Sequence, residues 1–296
     1  MSSTTAQAIL NVVHHYIIYA FSIIFIAGLV GNICNIVIFI SLKMFRKCPG
    51  AYYIIVESIF DLSFSIVGSA LRASEEIFNL DSDRIRLLWC KLRFPIVQWC
   101  TLVFLSLVNF AVIDQYFSTN CNPLMRQLST IKLAKYLTAM AILTSFFYMI
   151  PFTMFYDIKV TFGCLLTNIN LVRYYSFFHL PILQGILPIL LASTFSIMAY
   201  RNVRRIRRQQ MSNTRRRLDQ QLTAMILARM ILFVVCLLPY TALCFYVFNM
   251  QSHNNQTLRS AIEALILALA VAISYLNISV CHSTSYRDSF DLIHVY

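Results

Sequence analysis

Charge is what this chain has least of. Only 12% of its 296 residues are Asp, Glu, Lys or Arg, 59% are hydrophobic, and the mean hydropathy is +0.69. A soluble domain of that composition has too little polar surface and would aggregate, so a water-soluble globular fold is excluded. The first fifteen residues hold no Lys or Arg. They therefore lack the basic start of a cleavable secretory signal, and the first apolar block is expected to stay as an anchor. Period-two alternation of the membrane-barrel kind is missing. So is any likeness between two halves of the chain, or any matched pair of Gly- or Pro-interrupted helices, which speaks against the repeats of many transporters. The six histidines are scattered rather than grouped with aspartates or a nucleophile, which offers no hydrolytic centre, and the chain is expected not to be an enzyme.

What it has instead is long apolar stretches. Seven blocks, at about 16–42, 52–71, 88–116, 133–155, 174–200, 222–248 and 258–281, are each long enough to cross a hydrocarbon core of about 30 Å. Only helices satisfy their own backbone over such lengths in lipid. The expectation is an all-α membrane protein, a seven-transmembrane helix bundle forming one domain over 1–296, with a short cytosolic tail at 282–296.

Orientation follows from the basic residues. Fifteen of them fall on one side: Lys43, Arg46 and Lys47, then Arg126, Lys132 and Lys135, then the eight arginines between 201 and 217, and Arg287. Eight fall on the other, where Glu75, Glu76, Asp81 and Asp83 dilute them. Positive charge stays inside, so the N-terminus is expected outside and the C-terminus inside. The net charge of +12 is then a topology signal, and no nucleic-acid partner is expected, since no aromatic-basic surface accompanies the arginines. The run Arg201-Asn202-Val203-Arg204-Arg205-Ile206-Arg207-Arg208 suits anionic inner-leaflet lipids and an acidic partner face.

Two cysteines, Cys90 and Cys164, lie on the outer side, a compartment that permits disulfides. Their position alone leaves both a bridge and two thiols open. Asn255-Gln256-Thr257 in the last outer loop reads as a glycosylation acceptor at Asn255. Glu57 and Asp61 stand four residues apart in the second block and so share one helix face. Two acids that close cannot both ionise cheaply in lipid. Arg229, in the sixth block, is too deep to reach water easily and needs a partner, for which an inner-leaflet phosphate, Glu57 and, less favoured, Asp61 all stand.

An ordered set of marks resembles the rhodopsin-like G-protein-coupled receptors from about Gly31 to Ser285. Cys90 precedes Asp114-Gln115-Tyr116 by twenty-four residues, the family's spacing between its bridging cysteine and its Asp-Arg-Tyr motif. Gly31-Asn32, Asp61, Pro188 and Phe233-x-x-Cys236-Leu237-Leu238-Pro239 each stand in the matching block. The resemblance implies a bridge from Cys90 to Cys164. It also implies a sodium-holding site at Asp61 with Asn32, Ser274 and Asn277, with a neutral, hydrogen-bonded Asp61 as the alternative; otherwise no cofactor is expected. The ligand pocket carries over to Val97, Gln98, Thr101, Gln184, Tyr240, Thr241 and Glu263, with helix packing as the competing role for most of these. The switch carries over to Asp114, Gln115, Tyr116, Asp219, Leu105, Pro188, Phe233 and Pro239, to which the pair of Glu57 and Arg229 is added. Pro188 and Pro239 interrupt the hydrogen-bond ladder and permit the kinks by which the sixth helix swings.

Three departures bear on function. Gln115 replaces the arginine that engages the G protein, Leu237 replaces the tryptophan beneath the ligand, and Asn277-Ile278-Ser279-Val280-Cys281 replaces Asn-Pro-x-x-Tyr. A Gln115 to Asp219 hydrogen bond is expected where the family has a salt bridge. Val97 stands where amine receptors carry an aspartate, which disfavours a monoamine. No lysine lies between 258 and 281 to bind retinal. The reading is a receptor for an extracellular peptide or small molecule that signals to a heterotrimeric G protein at the plasma membrane. A non-coupling decoy or scaffold is the alternative.

Overall fold

Long helices with apolar side chains on their outer faces belong in lipid, and the computed structural model of the chain contains four that are long and apolar enough to cross a bilayer. It describes residues 23, 25–41, 48–77, 83–159 and 163–208, together with 231, 234, 235, 238 and 242. Helix α1 covers Phe25–Ser41, α2 Pro49–Ile77, α3 Asp83–Ser118, the short α4 Pro123–Leu128, and α5 Ile131–Phe155. After a hairpin come α6, Ile169–Tyr174, a π-helical segment, Tyr175–Ile186, and α7, Leu187–Arg208. These last three run on as one apolar span, Ile169–Arg205. Of the sixth expected block, the described residues are helical. The seventh, 258–281, lies outside the described residues.

Helices α2, α3 and the α6–α7 rod run past the blocks expected from hydropathy, because hydropathy marks only what sits in hydrocarbon while the backbone ladder continues into the headgroup layer. Local stops are set by side-chain caps. Asn122 accepts from the Leu124 amide, Thr130 from the Leu133 amide, and Asn168 from the amides of Asn170 and Leu171, so α4, α5 and α6 each begin on an oxygen that satisfies an orphan donor. Half-buried hydroxyls in the spans turn back on their own helix: Thr101 donates to Val97 O, Ser106 to Leu102 O and Ser193 to Ile189 O. That pattern removes donors that lipid cannot satisfy.

Helix α3 is the axis. It packs against α2, α5 and α7, and half of its apolar window is enclosed, against 28% for α5. Trp99 joins it to its neighbours, with its ring edge-on to Phe60 and Phe146 and its Nε1 donating to Ile142 O at 3.1 Å. Further along α3, Leu105, Val108 and Val112 pack with Ala192, and Phe195 and Val234 close over them. Leu105 therefore sits in a core shared by α3, α7 and the sixth block. The outward faces of α5 and α7 carry exposed Leu143, Phe147, Met154, Leu190 and Ile197, which lipid covers.

One element was not foreseen. The loop after α5 folds into an antiparallel hairpin, β1 Tyr156–Lys159 with β2 Gly163–Leu166, in the register Tyr156 to Leu166 and Ile158 to Cys164. It is seated by Tyr156, whose buried ring stacks on Phe94 of α3 with centroids 5.3 Å apart. Tyr156 and Ile158 join the cluster that holds Cys90. Burial pushes the Tyr156 hydroxyl up to about 12.

Candidate functional site

The polar groups buried in a membrane bundle are few and expensive, so where they gather is informative. One group gathers around His179, which has no solvent exposure at all. Its ring is stacked between Tyr175, centroids 4.8 Å apart, and Tyr148, 5.6 Å apart, with Phe152 tilted against it. Its Nδ1 lies 2.9 Å from the Tyr148 hydroxyl, which in turn donates to the Tyr174 hydroxyl at 3.1 Å. Its Nε2 lies 3.1 Å from Gln184 Nε2, and Gln184 Nε2 donates to Gln98 Oε1 at 2.5 Å. With the proton on Nδ1, that nitrogen donates to Tyr148, and the Gln184 amide donates to Nε2 and to Gln98. Three spans thus meet in one chain of bonds: α3 through Gln98, α5 through Tyr148, and the rod of α6 and the π segment through Tyr174, His179 and Gln184.

Gln98 and Gln184 were expected in the ligand pocket, and the structure brings them together. Val97 and Thr101 flank Gln98 on α3, half-buried, with the Thr101 hydroxyl spent on the Val97 carbonyl. Tyr240, Thr241 and Glu263 lie outside the described residues, as does Asn255. His179 and Tyr148 were missed. The sequence signal for them was weak: one histidine in an apolar run, whose ordinary role is a satisfied core side chain.

A second polar group lies on α1 and α2. Asn32, Asp61 and Glu57 are fully enclosed, at 0%, 2% and 1% exposure. Asn32 Nδ2 donates to Gly28 O at 2.9 Å, and its Oδ1 has no partner among the described residues. Asp61 lies close enough to Cys100 of α3 to act on it electrostatically. Ser274, Asn277 and Arg229 are outside the described residues. Among the described residues no group of three or more His, Cys, Asp or Glu side chains could hold a metal ion.

The third group closes the C-terminal end of α3. Asp114 and Gln115 are buried. Asp114 Oδ1 accepts from the Ser129 hydroxyl at 2.8 Å, a bond from α3 to the turn that starts α5. The Thr119 hydroxyl donates to Gln115 O at 2.7 Å. Tyr116 packs its ring on Phe195 of α7, centroids 5.6 Å apart. Pro188 stands buried at the second position of α7, directly after the π segment. Asp219, Phe233 and Pro239 lie outside the described residues. Near the N-terminal end of α3, Cys90 is buried and disulfide-bonded.

Long apolar helices packed on a central third helix, with enclosed polar clusters at three depths, define a multi-pass membrane protein of the helical-bundle class. The chain matches the 7 transmembrane receptor (rhodopsin family) over residues 31–277, and it belongs to that family. Members of the family are receptors rather than enzymes. No curated protein matches the chain.

Proposed function

We propose that the protein is a cell-surface receptor that binds an extracellular peptide or small molecule at the outer half of its bundle and signals inward to a heterotrimeric G protein by helix movement. The observation that carries this reading is the buried bridge Gln98–Gln184–His179–Tyr148. It ties three spans together at the depth where the carried-over pocket residues Val97, Gln98, Thr101 and Gln184 lie, so a ligand that displaces one of its bonds changes how those spans pack. Tyr240, Thr241 and Glu263 complete the pocket in this reading. The N-terminus is outside, the plasma membrane is the site of action, and Asn255 carries a glycan. Arg201, Arg204 and Arg205, exposed at the inner end of α7, face anionic lipids and the partner.

Two supports of the architecture belong to the same reading. Cys90 pairs with Cys164, which stands opposite Ile158 in the hairpin register while Ile158 packs in the Cys90 cluster. Asp61 and Asn32, with Ser274 and Asn277, form a polar site deep in the bundle that takes a sodium ion.

One observation favours a second reading, a non-coupling decoy or scaffold: Gln115 replaces the arginine that reaches the G protein. The experiment that separates the two is nucleotide exchange on co-expressed G proteins, measured without ligand and with a peptide library, using Gln115→Arg as the control. Coupling predicts exchange above mock-transfected membranes in the parent, with Gln115→Arg lowering the basal level and raising the stimulated maximum. No exchange from either protein at equal surface expression leaves the decoy reading standing.

A further inference from the structure

The stretch 121–128 is exposed at every position, no residue of α4 is buried, and Thr130 is exposed as well. Ser129, half-buried, is the exception. Its hydroxyl donates to Asp114 Oδ1 at 2.8 Å and so ties the turn before α5 to the C-terminal end of α3. The backbone there is open: Ser129 is non-helical, at φ −73° and ψ 84°, and Thr130 is extended, at φ −128° and ψ 146°. A serine in such a link, behind a helix with no buried residue, lifts out at the cost of few bonds. They are its amide to Arg126 O at 3.2 Å and its hydroxyl to Asp114.

Charge around Ser129 is of one sign. Arg126 stands three residues before it and Lys132 three after, both exposed, and no acidic residue lies between Asp114 and Asp157. Three residues of extended chain span about 10 Å. Arg126 can therefore enter an acidic pocket of an enzyme while Ser129 lies in its catalytic cleft. Thr130 is placed differently, with the arginine four residues away and its hydroxyl capping α5 by accepting from the Leu133 amide at 3.2 Å.

We propose that Ser129 is a phosphorylation site for an arginine-directed serine kinase, and that its phosphate releases the C-terminal end of α3 from the turn that starts α5. Ser129 Oγ bonds to the γ-phosphorus of a nucleoside triphosphate and its proton passes to the kinase's catalytic base. The bond from that phosphorus to the bridging oxygen breaks, and the nucleoside diphosphate leaves. The product has no hydrogen to donate to Asp114. It sets about two negative charges and three acceptor oxygens against a carboxylate that has just lost its donor. Repulsion turns the phosphate toward the exposed Arg126 and Lys132. The inference goes beyond the receptor reading and rests on it only in placing this end of the bundle in the cytosol, where nucleoside triphosphate is present.

The test uses the full chain in lipid nanodiscs, which leave both ends of the bundle open, with ATP and a constitutively active arginine-directed kinase. Peptide mass spectra are expected to place one phosphate on Ser129, and Arg126→Ala is expected to slow its addition about tenfold. Phosphorylation then speeds amide exchange at Thr119, Arg126, Ser129 and Thr130 about tenfold, the scale of one hydrogen bond to a charged group. In Asp114→Asn, whose amide can donate to the phosphate, the same modification changes exchange less than about twofold. A parent protein without phosphate on Ser129, phosphate on Thr130 in its place, or Arg126→Ala modified as fast as the parent overturns the site. Unchanged exchange after modification, or an equal rise in Asp114→Asn, overturns the release. Should Asp114→Asn fail to fold, exchange in the parent before and after modification decides that arm. Orientation is read separately with a membrane-impermeant maleimide on the exposed Cys121, which is expected to react only in permeabilised cells. Reaction in intact cells overturns the proposal through the orientation, a failure that the nanodisc assay does not share.

Discussion

Replacing His179 by Phe is the sharpest probe of the outer network, because it keeps the stacked ring and deletes only the two nitrogens. The ring still lies between Tyr148 and Tyr175. Tyr148 keeps its bond to Tyr174, so its hydroxyl is not orphaned. The Gln184 amide keeps Gln98 but loses the acceptor at Nε2. Two hydrogen bonds at about 1 kcal/mol each set the expected loss at about 2 kcal/mol, at the upper end of what such bonds contribute in membrane proteins. Scaled by the behaviour of domains of 150–250 residues, that is a fall in melting temperature of roughly 4–8 °C. His179→Ala removes the ring as well and falls further, by about 3–5 kcal/mol in total. Gln184→Leu in the His179→Phe background adds less than it does alone, with a coupling of about 1 kcal/mol. The reporter is Cys100, a thiol buried on α3 at 4% exposure. Its alkylation, followed by peptide mass spectrometry as temperature rises, reads the opening of the bundle. If His179→Phe melts together with the parent, the nitrogens contribute nothing and the network is ordinary aromatic packing.

Further outcomes follow from the other clusters. Cys90→Ser is expected to lower surface delivery, since loss of a native disulfide costs about 2 to 5 kcal/mol in small secreted domains; peptide mapping that finds Cys164 as a thiol in folded protein rules out the Cys90–Cys164 pair. Glu57 is sealed off from solvent, and a pair with Arg229 predicts that Glu57→Gln and Arg229→Leu each raise basal signalling or reduce folded yield, while the exchange Glu57→Arg with Arg229→Glu partly restores the parent; an exchange no better than its single changes removes the pair. Tyr156 is raised from 10.0 to about 12, so the unfolded chain ionises first. Stability from seating the hairpin is whole below pH 10 and is lost as pH climbs toward about 12, a loss that Tyr156→Phe abolishes in alkaline melting curves.

The four spans among the described residues were legible because lipid imposes a length and an apolar content that few other constraints produce. The helix around Trp99 is readable from hydropathy alone. Single residues were legible where chemistry is dear: Asp61 and Glu57, acids in an apolar block, are indeed buried. Asp114 was legible as a residue but not in its partner, because a bond to Ser129 depends on how the turn before α5 folds back, and sequence spacing does not encode that. The hairpin was missed for the opposite reason. Four-residue strands carry too little alternation to be told from loop, and Tyr156 is held by a tertiary stack on Phe94 rather than by local preference.

His179 was missed because the rule used to place residues on a helix face fails where it lies. At about 100° per residue, Gln184, four positions before Pro188, falls within about 40° of that buried proline, and an inward Gln184 follows. His179 is nine positions before Pro188, and by the same count it comes out about 180° away, facing lipid. The structure buries both, because Tyr175–Ile186 winds as a π-helix and Leu187 donates its amide five residues back, to Ile182 O. Proline explains why that winding costs little at this place: Pro181 and Pro188 have no amide to give, so the α-pattern is already short of donors. In a wider turn, residues five apart come one above the other. The His179–Gln184 contact has that separation, and on an α-helix the two side chains would diverge by about 140°. The buried network is therefore a product of the π winding itself. A change that restores α-helical register across Tyr175–Ile186, such as deletion of one residue from it, is expected to turn His179 out of the bundle while leaving Gln184 beside Gln98.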